Sequence, residues 1–385
     1  MKNKSLPLVI LVLALAGFGA YRHFSQPGKE GEPAKPVAPQ TPRSPAKSSE
    51  RPFRTNTDNS GKTTPKDHPA DPGTANSLKS LTGGQLPKLS HEQIEAFLAK
   101  RNRNASALLA AFRLSGDAAY LHEAGEKHAA DPRVQLTLGM SSSSPEEKQR
   151  AFQELRKLAP DNALADYLLA MDSLRGGKHE EAVASLTSAY SKKQMNDYSA
   201  ELAAAAADAY ESSGFTELQS KLARLQGAVS PLYSQMAQLS LLMTNLQTEY
   251  RQGGDADSAN ALCRMGLALA DQLQTQPGHS LMSDLVGMGV ERRMLQALPP
   301  ETVLDDQGGT AKSKLEALEV RKTDVGGLGQ AGAAVMALPE QEALSYFNRF
   351  EANGEAEALR WLKKKHGDLV PQQKPPGSPP ATPAP

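Results

Sequence analysis

One cysteine, Cys263, and one tryptophan, Trp361, occur in 385 residues, and aromatic side chains make up only 5% of the chain. A single cysteine excludes a disulfide framework and a multi-cysteine metal site. Formal net charge is zero. That balance hides an asymmetry. Residues 1–80 hold 12 Lys and Arg against 6 Asp and Glu, and residues 81–385 hold 31 against 37. The mildly acidic balance in the part after residue 80 argues against a polyanion such as nucleic acid as its partner. Long apolar runs are missing too, except at the start, where Leu6 to Ala20 follow Lys2 and Lys4. Local catalytic signatures are also lacking, with no Walker loop, calcium loop, HExxH pair or nucleophile elbow.

What is present falls into blocks. Residues 1–4 read as a cytoplasmic N-terminus and 5–21 as a transmembrane anchor, slightly short of the roughly 20 apolar residues of a full span. Ala14-Leu15-Ala16 offers a cleavage site as the alternative, which would release the protein. The expected localisation is a single-pass membrane protein with its C-terminal part on the extracytoplasmic side. Residues 22–87 are rich in Pro, Lys, Ser, Thr and Gly, and 17 of the 27 prolines lie between Pro27 and Pro72 or between Pro371 and Pro385. Such segments bury too little apolar surface to offset their ordering entropy, so 22–87 is read as a tether and 368–385 as a disordered tail. The tail also carries PxxP steps at Pro376–Pro379 and Pro380–Pro383, the spacing of a polyproline ligand.

Residues 88–367 read as helical throughout. Ser90 and Gln93 form a capping box, with Leu89 and Ile94 as a hydrophobic staple, opening a helix that should run toward Leu114. Further helices are expected at about 117–129, 133–139, 145–158, 197–213, 215–227, 232–250, 256–275, 279–298, 312–323, 329–337, 340–352 and 355–366. At the centre, Asp161 or Asn162 caps a helix whose Leu164, Tyr167, Leu168, Met171 and Leu174 share one face. Gly176-Gly177 stops it, and a second helix follows with Ala182, Val183, Leu186, Ala189 and Tyr190 on its own face. A lone hairpin cannot bury both stripes, so neighbouring hairpins must stack on it. Glycine three residues before an acid recurs at Gly177/Glu180, Gly214/Glu217, Gly254/Asp257 and Gly354/Glu357, and the three central glycines are 37 and 40 residues apart. A looser turn lies at Gly116.

Leu169-Ala170, Gly177, Ala182, Leu186 and Ala189 give the central hairpin the pattern of the tetratricopeptide repeat, which it resembles over about thirty residues. The family's early aromatic falls here on Asp166, its later tyrosine on Ser173 and its closing proline on Gln194. The resemblance implies an all-α fold of stacked helical hairpins, a tetratricopeptide-like α-solenoid, and a protein or peptide partner. The layout as a whole resembles membrane-tethered tetratricopeptide-like proteins of bacteria.

Gly327-Leu328-Gly329-Gln330-Ala331-Gly332 has the spacing of a dinucleotide fingerprint but lacks the preceding strand. His122 and His128 are six residues apart, which sets them about 120° apart around a helix and unable to share a metal. Glu146-Glu147 and Glu180-Glu181 sit in first helical turns, where the dipole favours acids. Cys263 lies on an apolar stripe with Ala259, Leu262, Gly266 and Leu269 and reads as core. Lys363-Lys364-Lys365-His366 closes the last helix, complementing its dipole or meeting an anionic surface. Leu232, Met236, Leu239, Met243, Leu246 and Tyr250 form a heptad-like seam, buried in the domain or shared with a second chain. The chain therefore predicts a non-catalytic scaffold of the cell envelope with no cofactor, no metal and no nucleic-acid partner. The alternatives are an envelope enzyme assembled from distant helices and a self-assembling structural protein.

Overall fold

The computed structural model describes residues 86–367 except 228–230, 277–278, 305–307, 333 and 336–337. The expected anchor (5–21), the expected tether (22–87) apart from residues 86–87, and the expected tail (368–385) lie outside the described residues. Among those described there are fifteen α-helices and no strand, and no helix is long and apolar enough to cross a membrane.

The first five helices are α1 (His91–Lys100), α2 (Ala105–Ser115), α3 (Ala118–Lys127), α4 (Pro132–Ser141) and α5 (Pro145–Leu158). The central pair is α6 (Leu164–Arg175) and α7 (His179–Ser191). Then come α8 (Ser199–Ser212), α9 (Glu217–Gly227), α10 (Leu232–Gln252), α11 (Ala256–Thr275), α12 (Leu281–Gln296), α13 (Ala311–Gly332), α14 (Glu340–Asn353) and α15 (Glu355–Lys365).

Local chemistry sets most boundaries. Ser90 accepts from the Gln93 amide at 3.2 Å while the Gln93 side chain accepts from the Ser90 amide at 2.9 Å, so the capping box forms. Gly116, Gly177, Gly214, Gly254 and Gly354 all have positive φ, and each sits between two helices that pack together. A left-handed residue at a helix end is least costly as glycine.

Two expected boundaries are corrected. The single helix toward Leu114 is broken at 101–104, where Asn102 and Arg103 take φ of 51° and 47°, and Asn104 caps α2 through the Ala107 amide at 2.9 Å. Arg103 is held in that conformation by its own bonds, donating to Glu95 (2.7 Å) and Glu123 (2.7 and 2.6 Å). The reverse occurs at 311–332, where two expected helices are one. Leu318, Leu328 and Ala331 are buried along α13, and that burial outweighs the poor helix propensity of Gly326, Gly327 and Gly329.

The apolar stripe of α6 is fully interior: Leu164, Tyr167, Leu168 and Met171 are 0% exposed and Leu174 8%. These side chains are core between hairpins and line no groove. In α10, Leu232, Met236, Leu239, Met243 and Leu246 are buried against α6, α11 and α12. Consumed inside the domain, this seam does not serve as a dimer contact. Close approach elsewhere depends on glycine: a Cβ at Gly287 would lie 2.8 Å from the Ala270 carbonyl oxygen, so α11 and α12 touch backbone to backbone.

The order of packing is not the order of the chain. Hairpin α6/α7 stacks on α10/α11, while the intervening α8/α9 turns away, α8 against α2 and α9 against α14. Helix contacts then run in a closed circuit, from α2 through α4, α5, α6, α10, α12, α13, α15, α14, α9 and α8 back to α2.

Candidate functional site

Where α8/α9 leaves the stack, the chain must cross from α7 to α8 through the polar stretch 192–198. This segment lies beside the α5–α6 connection, and the two meet in an isolated parallel bridge between Asn162 and Gln194, with the Ala163 amide donating to the Gln194 carbonyl at 3.0 Å.

Asn162 ties the two connections together. Its Oδ1 accepts from the amides of Leu164 (3.1 Å) and Asn196 (2.9 Å), and its Nδ2 donates to the Asn196 carbonyl (2.8 Å) and the Tyr198 hydroxyl (3.3 Å). An asparagine side chain has two donors and room for two acceptances, so this one is used completely. Tyr198 has φ of 56°, an unfavourable conformation for a bulky residue. The Asn196 side chain holds it there, accepting from the Tyr198 amide at 2.8 Å.

Beneath the bridge lies a charged support. Asp166 is 0% exposed, and Lys192 donates to its Oδ2 at 2.5 Å and to the Asn162 carbonyl at 3.3 Å. Arg156 stands 3.7 Å from Oδ1. Gln272 of α11 donates to the Lys192 carbonyl at 2.7 Å, joining the loop to the next hairpin.

On this support sits an open cleft of about 320 Å³, walled by Leu158, Pro160 and Asp161 on one side and Gln194, Asn196 and Tyr198 on the other. Its groups are amides, one carboxylate and one phenol. Burial pushes the Tyr198 hydroxyl above its ordinary pKa, so it stays protonated near neutrality while accepting from Asn162 Nδ2 at 3.3 Å. The lining contains no histidine, cysteine or serine, and so no nucleophile–base pair. Such a surface suits hydrogen bonding to an extended chain.

A second convergence lies at the start of α12. Glu355, the first residue of α15, accepts from the Leu281 amide at 2.7 Å and so satisfies an orphan donor of that helix. Burial raises the pKa of Glu355, with the neighbouring Asp284 charge adding to the shift, and burial also raises Asp284; His279 opposes both. Tyr233 approaches the same helix start, its hydroxyl 3.4 Å from the Ser280 hydroxyl.

The remaining candidates are placed plainly. Residues 327–332 lie in α13, with no strand before them, so no dinucleotide loop forms. His122 is exposed beside Glu126, and the His128 ring meets the Arg103 carbonyl at 2.9 Å; they are not brought together. No group of three or more His, Cys, Asp or Glu arranged for a metal occurs among the described residues. Cys263 is 1% exposed, and burial pushes its thiol up to about 11, so it is core. The sequence offered Asp161 or Asn162 as the cap of α6, but the N-cap position is Ala163, without a side-chain cap bond, and Asn162 accepts from the Leu164 amide one residue further on. Asn196, Tyr198 and Glu355 were missed because their partners lie 34, 36 and 74 residues away. One signal did exist: Asp166 and Gln194, two departures from the repeat pattern, both belong to this junction.

Compared with family models, curated proteins and solved structures, the chain matches none.

Proposed function

We propose that the chain is a non-catalytic interaction module of a bacterial cell envelope, tethered by residues 5–21 and the linker 22–87, and that the Asn162 cleft receives an extended segment of a partner protein. The observation that carries this reading is a polar cleft whose rim is fixed from below by a saturated asparagine and a paired, buried carboxylate. A preformed rim reduces the ordering cost of binding. The tetratricopeptide resemblance supports a peptide-binding role for stacked hairpins, although here the cleft is formed by connections and the helix stripes are core.

Placing a photoreactive residue at Asp161 or Gln194 of the full chain in cells and identifying adducts by mass spectrometry tests this reading. A defined protein adduct at both positions, absent from a control at Leu241, which is 50% exposed, is expected. Equal labelling at all three positions would overturn it. An adduct with a second copy of the chain would assign the cleft to self-assembly.

A second reading, an enzyme assembled from distant helices, draws on the convergence of His279, Asp284 and Glu355. Under that reading His279→Ala and Asp284→Asn would abolish function in cells at unchanged protein level; under the module reading they would not.

A further inference from the structure

The last two helices hold the chain's single tryptophan in a setting that the cleft does not use. The Arg349 guanidinium of α14 lies 4.9 Å from the Trp361 ring centroid and the Lys365 ammonium 5.2 Å from it, with the His366 ring edge-on at 6.1 Å. Lys363 and Lys364 follow on the same helix, both exposed.

The nearby acids do not neutralise this face. Glu342 takes Lys365 at 2.6 Å and His366 at 3.3 Å, and Glu357 pairs with Arg360. Glu351 faces Lys221 and Arg224 of α9 instead, and Glu355 is committed to α12. With Glu351 and Glu355 directed to other helices, Arg349, Arg360, Lys363, Lys364 and Lys365 stand against Glu340, Glu342 and Glu357, a net charge of +2 with His366 counted as neutral. This excess stands out from residues 81–385, where acids outnumber bases by 37 to 31. The helix dipole favours cations in the last turn of α15, but it does not account for Arg349, which comes from another helix to cover the indole.

We propose that this face of α14 and α15 docks on the surface of an anionic bilayer. Lys363 and Lys364 would meet lipid phosphates, and Trp361 would sit at headgroup level, where an indole has an apolar body and a polar tip to place. Lysines are compact point charges rather than bidentate forks, and here they are spread along a helix end instead of converging on one centre. That arrangement suits a fluid array of headgroups, each drawn by a juxtamembrane cation, better than a single bound anion. The proposal does not depend on the cleft or on its partner.

The single tryptophan makes the test direct. Full-length protein is reconstituted into vesicles of neutral phosphatidylcholine, or of phosphatidylcholine with one part in three phosphatidylglycerol, each carrying brominated acyl chains, and Trp361 emission is recorded. The expected result is a blue shift and bromine quenching in the anionic vesicles, reversed by high salt, and reduced to the neutral-vesicle level in K363Q/K364Q with an unchanged unfolding midpoint. Identical emission in both lipids would overturn the proposal, as would quenching that K363Q/K364Q leaves intact. A response to a soluble polyanion with none to anionic vesicles would overturn it in favour of a protein or polymer partner.

Discussion

At the Asn162 junction a fully buried carboxylate, Asp166, faces two cations, Lys192 and Arg156. At the start of α12 a half-buried carboxyl, Glu355, shares its surroundings with a second one, Asp284. Both junctions hold together segments distant in sequence, Asn162 with Asn196 and Leu281 with Glu355. They differ in how the charge is settled. The ion pair bonded at 2.5 Å ties its loops through opposite charges. Burial raises the pKa of Glu355, and the Asp284 charge adds to that shift, so the strength of this junction depends on pH. The first is suited to presenting a rigid rim, the second to being adjusted.

The largest test of this contrast is Lys192→Met. It leaves Asp166 buried with only the more distant Arg156, and breaking a buried pair from one side costs about 3–5 kcal/mol. Chemical denaturation should show this loss, and adding Asp166→Leu should recover most of it. Asn162→Ala comes next. It strands the amide of Asn196 and its carbonyl beneath the cleft, at a cost of about 1–3 kcal/mol for unsatisfied buried groups. Photo-crosslinking at Gln194 should fall with it.

Glu355→Gln should act in the opposite direction. Burial holds the Glu355 carboxyl above the ordinary carboxyl value of 4.5 in the folded state, so the folded state favours its protonated form. The corresponding stability is complete below that value and is lost as pH rises through the folded pKa. Gln can still accept from the Leu281 amide without carrying charge. The variant should therefore melt higher than the parent at pH 7.5 and with it at pH 4, as read by thermal unfolding at the two pH values.

Glu123 supplies the smallest effect, with a reversed sign. Its hydrogen bond from Arg103 holds its carboxyl down at about 2, so its contribution is present above 4.5 and is lost as pH falls toward 2. Arg103→Gln should lower stability at pH 7 and flatten the acid limb of the profile, variant and parent converging as pH falls toward 2, as read by thermal unfolding across that range.

The sequence disclosed the parts of the fold that obey local chemistry. Gly116, Gly177, Gly214, Gly254 and Gly354 mark turns because few other residues accept positive φ, and the Leu164–Leu174 stripe reads as core from its spacing alone. The break at 101–104 escaped that reading because Asn102 and Arg103 take the same φ region without glycine, held by an ion-pair network of Glu95 and Glu123. The departure of α8/α9 from the stack was illegible for a different reason. Propensity and periodicity say which face is buried but not which neighbour covers it. The cleft follows from that departure, and its only advance signs were a carboxylate and an amide, Asp166 and Gln194, at positions where the tetratricopeptide pattern has an aromatic and a proline.

The account rests on the rim being formed before any partner arrives. Hydrogen exchange on the unliganded full chain, resolved at the amides of Ala163, Asn196 and Tyr198, measures this directly. Each of these amides donates within the junction, to Gln194 at 3.0 Å, Asn162 at 2.9 Å and Asn196 at 2.8 Å. The prediction is slow exchange comparable to the core amides of α6, collapsing in Asn162→Ala. Exchange at the rate of an open loop in the unsubstituted protein would contradict it.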